Sequence, residues 1–247
     1  MRTKRATLLP HRGKQCFSMA ILADNLSEMS SKVGFKIQPT IYWVANGAQF
    51  PRIISNTFDA VVTTGSQLNL DKESIPLNPW YQNLFEFIRS VRHQRIPMLG
   101  ICFGHQAIAA AFGVEVITNP IKPQTEIGFA PVTLTIEGRG SGLLSGLPRD
   151  HFDALFSHSY CITTVPHGAQ TLAIGHGKMI HAFSLDLLYG VQFHPEISPD
   201  VIKHIAELRA EKLAKQGIKR VKTEIERRVD HTVLENFVKM AARMREL

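Results

Sequence analysis

Ile96-Pro97-Met98-Leu99-Gly100-Ile101-Cys102-Phe103-Gly104-His105-Gln106-Ala107-Ile108-Ala109-Ala110-Ala111-Phe112 is the stretch on which the reading of this 247-residue sequence turns. Its first residues are apolar and read as a buried strand, and residues 107–112 read as a helix. Between them Cys102 stands on a sharp strand-to-helix turn with a glycine two residues to either side. This is the thiol counterpart of the G-x-S-x-G elbow. A nucleophile at such a turn is held in strained backbone geometry, and the flanking glycines let strand and helix approach closely. The turn also opens a helix, whose dipole and free N–H groups favour negative charge. The backbone N–H of Phe103 is placed to hold an oxyanion. Taken alone, Cys102 reads equally well as a buried structural cysteine. A base elsewhere in the chain has to decide.

Around this stretch the sequence alternates apolar runs with helical patterns. Residues 1–15 read as a flexible tail, and residues 17–23 as the first buried strand. Asp24-Asn25 is a helix-cap signal, and residues 26–33 a short helix ended by Gly34. Residues 37–44 read as a second strand and residues 58–64 as a third, stopped by Gly65-Ser66. An abrupt polar end suits a parallel strand with a functional loop at its carboxyl end. Trp80, Leu84, Phe87 and Val91 recur at helical spacing and read as a core stripe. The strand and elbow of Cys102 follow, so this half predicts an α/β fold with a parallel sheet flanked by helices.

After Gly113 the texture changes. Short apolar segments at 114–117, 129–136, 154–163, 171–174, 179–183 and 187–193 are separated by Pro-, Gly- and His-rich turns. They predict antiparallel strands added to the same sheet. Residues 201–208 begin a helix, Gly217 interrupts it, and Ile218, Val221, Ile225 and Val229 continue the pattern. Asp230 reads as the N-cap of a last helix carrying Val233-Leu234, Phe237-Val238 and Met244. With no Gly/Ser-rich linker and no repeat, residues 16–247 are expected to form one domain, with 200–247 as a helical extension.

Hydrophobic residues make up 44% of the chain and charged residues 20%, which suits a soluble globular protein with a real core. No apolar run approaches the roughly 18 residues that a membrane span needs. The cysteines Cys16, Cys102 and Cys161 are odd in number and lack metal-ligand spacing, so neither a disulfide scaffold nor a metal site is expected. A reducing, cytoplasmic location follows. Nor has the N-terminal segment the apolar core of a secretory signal; Met19 offers a second start. The formal charge of +7 comes from two places. One is the N-terminal group Arg2, Lys4, Arg5, Arg12 and Lys14. The other is the stretch 203–245, where glutamates are interleaved as on a solvated helix face. No aromatics alternate with these cations, which argues against a nucleic-acid partner.

The base comes from Tyr189-Gly190-Val191-Gln192-Phe193-His194-Pro195-Glu196. An apolar strand delivers a histidine and, two residues later, a glutamate. In extended chain those positions point the same way. The carboxylate can then fix one imidazole nitrogen while the other faces a nucleophile, which is the orientation a Cys–His–Glu relay needs.

Gly-Ile-Cys-Phe-Gly-His-Gln followed by Gly-Val-Gln-Phe-His-Pro-Glu resembles the class I, triad-type glutamine amidotransferase family. The resemblance runs from about Phe17 to the final helix, and within the family it is greatest to stand-alone, GMP-synthase-like members. Glu126-Ile127-Gly128, the stretch Leu143-Leu144-Ser145-Gly146-Leu147-Pro148 and the closing Leu-Glu-Asn-Phe-Val helix support it. The resemblance implies a flavodoxin-like fold, no cofactor, and hydrolysis of the glutamine side-chain amide through a thioester on Cys102. His194 would serve as base and then acid, with Glu196 orienting it. The oxyanion would be held by backbone N–H groups of Phe103 and of the Gly65-Ser66 loop. Gln106 would lie beside the substrate, and the His158-Ser159-Tyr160 loop would hold its α-amino and carboxylate groups through the main chain, so Ser159 and Tyr160 join the substrate-binding set. His105 reads as structural.

The sequence has no Gly-rich phosphate loop, so the resemblance implies a separate synthase that receives the ammonia, or simple release. Two departures stand out. Many relatives carry two glycines where this chain has Thr64-Gly65-Ser66, a variant that resembles plant γ-glutamyl peptidases. Many GMP-synthase-type members have His-x-Asp where this chain has His158-Ser159-Tyr160. Hydrolysis of γ-glutamyl peptides is therefore the alternative to glutamine as substrate, and a non-catalytic regulatory module is the reading from another class.

Overall fold

The computed structural model describes residues 3–9, 22, 24–26, 28, 29, 32–34, 36–42, 44, 49–51, 58–224 and 231–244. The parallel elements are β1 (Thr3–Leu9), β2 (Lys36–Ile41), β3 (Ala60–Thr63), α1 (Trp80–His93), β4 (Met98–Ile101) and α2 (Phe103–Ala111). The next part of the chain supplies β5 (Ile117–Thr118), β6 (Glu126–Leu134), α3 (Ile136–Gly140), β7 (His151–His158), β8 (Tyr160–Cys161), β9 (Gln170–Ile174), β10 (Ile180–Leu185) and β11 (Leu188–Val191). Three helices close the chain: α4 (Pro199–Leu208), α5 (Ala210–Lys215) and α6 (Thr232–Arg243).

A nine-stranded sheet runs β2-β1-β3-β4-β11-β10-β9-β6-β7. Pairing is parallel from β2 through β11 and antiparallel from β11 through β7. The expected α/β class, with added antiparallel strands and a helical C-terminal piece, is what the chain adopts. Pro39 is tolerated in β2 because that strand lies at the sheet edge.

The central strands are apolar on both faces because helices cover both. Val61 and Met98 join Tyr81, Ile88, Phe103 and Ile108 on the α1–α2 side. Their neighbours Val62 and Leu99 join Leu26, Phe193, Val233 and Phe237 on the other. Alternation within continuous apolar runs thus feeds two cores at once. The α1 stripe buries Leu84, Phe87 and Val91 as expected, and Gly34, at φ +79°, follows the helical residues 32–33.

Three expectations are corrected. Residues 3–9 are not tail: β1 is an interior strand, with Ala6 opposite both Pro39 and Ala60. The strand placed at 17–23 falls largely outside the described residues, and Leu22 and residues 24–26 within and beside it are helical. The helical pattern through Ile218 and Val221 is not realised either. Gly217, at φ +78°, turns the chain, and Lys222 then pairs with Gly128, its carbonyl accepting from Phe129 N at 2.7 Å. Spacings of three and four there serve an extended segment docked on β6. Ile225, Val229 and the Asp230 cap lie outside the described residues.

The approach of α2 to β3 and β4 is what positions Cys102. A Cβ on Gly100 would run into the Gly104 carbonyl, and one on Gly104 into the Thr63 carbonyl. Backbone cannot give way as a flexible side chain can. Gly104→Ala is therefore expected to lower stability by about 1–3 kcal/mol, read as a lower urea midpoint at unchanged slope. An unaltered midpoint contradicts the close approach.

Candidate active site

Cys102 adopts φ 52° and ψ −101°, a left-handed backbone that side chains rarely take. It persists because the turn is pinned on both sides. Its N–H donates to the Val191 carbonyl at 2.8 Å, and its carbonyl accepts from Gln106 N at 3.2 Å. The parallel register that sets Ile101 opposite Val191 then delivers the chain leaving β11 past the thiol. Gln192, fully buried, donates from Nε2 toward Cys102 Sγ at 3.6 Å. His194 N donates to the Leu155 carbonyl at 2.8 Å, which seats the histidine against β7.

Two residues on, Glu196 Oε1 lies 2.8 Å from His194 Nδ1. The glutamate is fully buried and His194 nearly so. The turn that carries them is held from outside: Asn25 Nδ2 donates to the Glu196 carbonyl at 2.8 Å, and His231 Nδ1 to the Pro195 carbonyl at 2.9 Å. The Glu196 contact fixes the tautomer and leaves His194 Nε2 buried without a hydrogen bond. Burial opposes charge on the ring, but Glu196 and Cys102 outweigh it and raise His194 to about 10.

Gly65 faces both groups. A Cβ there would come within 2.9 Å of His194 Cε1 and 3.7 Å of Cys102 Cβ. A side chain at this point would press on the imidazole, whereas its distance to Cys102 Cβ would be ordinary van der Waals contact. Ser66, Phe103, Gln106, Ser159 and Tyr160 line a cavity of about 440 Å³ that also reaches Cys102. Gln106 is buried and donates to the Tyr160 carbonyl at 2.7 Å and to Gln192 Oε1 at 3.0 Å. Ser159 Oγ pairs with Thr125 Oγ1 at 2.9 Å. The structure thus brings Cys102, His194, Glu196 and the six pocket residues named from the sequence into one place.

A family profile described as glutamine amidotransferase class-I matches residues 25–210. The chain belongs to that family. The amidotransferase chain is 31% identical over 176 residues to a GMP synthase (glutamine-hydrolyzing) of Prochlorococcus marinus, covering 64% of this chain and 32% of the relative. It is 35% identical over 106 residues to one of the subunits of a GMP synthase (glutamine-hydrolyzing) of Methanocaldococcus jannaschii, covering 42% of this chain and 53% of that one. It therefore spans well under two thirds of these curated relatives. Among solved structures, a glutamine amidotransferase from Thermotoga maritima has a TM-score of 0.74 at 19% identity, covering 96% of this chain and 97% of that one. One from Methylobacillus flagellatus has a TM-score of 0.68 at 19% identity, covering 99% and 95%. Among the described residues no helix is long and apolar enough to cross a membrane.

Two residues of this candidate site escaped sequence reasoning. Gln192 sits inside the quoted β11 motif, and its alternation with His194 was the available signal. Arg209 has no such signal. It lies at the break between α4 and α5, lines the cavity and donates from Nη1 to Ser157 Oγ at 2.9 Å. In the cavity wall, His158 Nε2 meets Glu126 Oε2 at 2.9 Å and its Nδ1 meets the Tyr160 carbonyl at 3.0 Å, so it supports the loop. His105 is fully buried against Phe183, and burial lowers it to about 3.

The sign of the His194 shift sets a pH dependence. Its folded value, about 10, lies above the ordinary 6.5. The pairing therefore adds stability that is fully present below pH 6.5 and is lost as pH rises toward 10. In NMR titration the His194 ring should stay protonated through neutral pH. Glu196→Gln should lower its midpoint and flatten the alkaline loss of stability. A wild-type midpoint near 6.5 contradicts this.

Proposed function

We propose that this chain hydrolyses the side-chain amide of glutamine, with Cys102, His194 and Glu196 as the catalytic set. The observation that carries the reading is the thiol on its strained turn beside an imidazole already paired with a buried carboxylate. Cys102 Sγ attacks the amide carbon, and the carbonyl oxygen becomes an oxyanion within reach of backbone N–H groups of Phe103 and the Gly65-Ser66 loop. His194 transfers its proton to the leaving nitrogen, which departs as ammonia, and a thioester remains on Cys102. Water, deprotonated by the now neutral His194, attacks the thioester and releases glutamate. Glu196 holds the ring in orientation and offsets its charge throughout. Gln192 and Gln106 link the thiol, the β11 end and the Tyr160 loop through hydrogen bonds.

We infer further that the ammonia goes to a separate synthase, a reading supported by likeness to a relative that is itself named as one of the subunits of a GMP synthase. A cytoplasmic setting fits that role. The γ-glutamyl peptide reading is favoured by one feature, the size of the cavity at Cys102, about 440 Å³.

A diazo-ketone analogue of glutamine should alkylate Cys102, found by peptide mass, and Cys102→Ala should abolish both labelling and ammonia release. His194→Ala should lower the labelling rate by about 10²–10⁴-fold. Absence of labelling, with Cys102 still reactive to iodoacetamide, rejects the reading. The rate on γ-glutamyl dipeptides relative to glutamine then decides the substrate.

A further inference from the structure

The C-terminal helical piece contributes a cation to the pocket, and the described residues around it leave that cation without an anionic partner. Arg209 sits where α4 ends and α5 begins, with φ −109° and ψ 10°. Its backbone N–H still bonds to the Ile205 and Ala206 carbonyls, but the helix breaks there. The side chain enters the cavity and is half-buried. Its hydrogen-bond partner is the Ser157 hydroxyl, at 2.9 Å. Among the described residues no carboxylate lies within ion-pair distance of it. Burial pushes the guanidinium downward, and the negative charge available at Cys102 partly opposes this. A half-buried guanidinium offers several donors in a planar fork, and one hydroxyl engages only one of them. Desolvating such a group is costly unless an anion completes it.

The rest of the cavity has the same sign. Lys212, one turn further along, lines it as well, and among the described residues the lining contains no aspartate or glutamate. Ser157 fixes the distance scale. Its carbonyl oxygen lies 4.0 Å from Cys102 Sγ, while its hydroxyl holds the guanidinium. Sulphur and guanidinium are thus both in contact with the same residue, one through its carbonyl and one through its hydroxyl.

Resting on the amidotransferase reading, we propose that Arg209 is a specificity-determining residue that binds the α-carboxylate of the γ-glutamyl substrate. It selects compounds carrying that carboxylate while Cys102, His194 and Glu196 perform the chemistry. Lys212, exposed at the rim, adds attraction for the same charge at longer range. Arg209 stands at the α4–α5 junction, so the helical break and the cavity wall meet at this residue.

The test uses the whole chain and two alkylating probes, the diazo-ketone analogue of glutamine and its counterpart lacking the α-carboxylate. For Arg209→Gln the half-saturating concentration of the first probe should rise about tenfold to a hundredfold, with its maximal labelling rate little changed. The second probe should bind wild type weakly and show no further loss in the variant. Arg209→Lys should restore part of the affinity, since charge is kept and the fork is lost. Ser157→Ala, which keeps the cation, should cost less than Arg209→Gln. Equal losses for both probes in Arg209→Gln overturn the proposal, because they mark a structural role. Unchanged saturation by the first probe overturns it too, as does an effect confined to the maximal rate. Wild type that reacts with iodoacetamide at Cys102 but with neither probe instead removes the amidotransferase reading on which the proposal rests.

Discussion

Everything in this site depends on one backbone conformation, the left-handed Cys102 at the end of β4. Such geometry costs about 1–3 kcal/mol and survives only where its surroundings over-determine it. Here they do so through backbone alone. The Val191 carbonyl takes the Cys102 N–H, and Gln106 N takes its carbonyl. The carbonyls of Thr63 and Gly104 occupy the space that any side chain at Gly104 or Gly100 would need. None of these contacts involves a side chain that could relax. The thiol therefore stands clear of the sheet, at the carboxyl ends of β3, β4 and β11, where open α/β sheets bind their ligands.

The same strand that pins the cysteine also delivers its partners. β11 is where parallel pairing gives way to antiparallel pairing. Its parallel side fixes register against β4, so residues just beyond Val191 must pass the thiol. Its antiparallel neighbour supplies the His181 carbonyl that accepts from Gln192 N at 2.9 Å. Antiparallel β7, at the far edge of the sheet, reaches back to hold His194 through the Leu155 carbonyl and contributes Ser157 and His158 to the pocket. The change of texture after Gly113 is thus more than extra sheet. The parallel half positions the thiol, and the antiparallel half builds the facing wall of the cavity.

The degree to which sequence disclosed this follows the range of the interactions. Cys102, His194 and Glu196 were legible because short-range rules decide them: glycines around a turn, and alternation along a strand. Gly65-Ser66 was legible because an apolar run stops there abruptly. β1 was not. Its segment carries Lys4 and Arg5 and shows no apolar run, and its identity as a strand comes from β2 and β3 on either side. Ile218 and Val221 misled because apolar residues three apart also suit an extended segment that bends, and only the docking on Gly128 distinguishes the two. Arg209 was invisible for a different reason. One cation among the interleaved Lys, Arg and Glu of the C-terminal helices looks like any other until the folded chain places it at the pocket.

Burial does not by itself decide which histidine carries charge. His105 and His181 are both fully buried, and burial holds them low, at about 3 and about 4. His194 is nearly as buried and is raised instead. The difference lies in the distance and number of nearby negative groups. Glu126 is 3.8 Å from His181 and already hydrogen-bonded to His158 at 2.9 Å, so it offsets burial only in part. Glu196 meets His194 at 2.8 Å, with its other oxygen unshared, and Cys102 adds a second negative neighbour. His158 also opposes charge on His181 and His105, whereas His194 has Glu196 and Cys102 beside it, and these outweigh its burial. The imidazole beside the thiol is therefore selected for charge by one carboxylate two residues away. The strand geometry after β11, which keeps positions 194 and 196 on one side, is what makes that selection local.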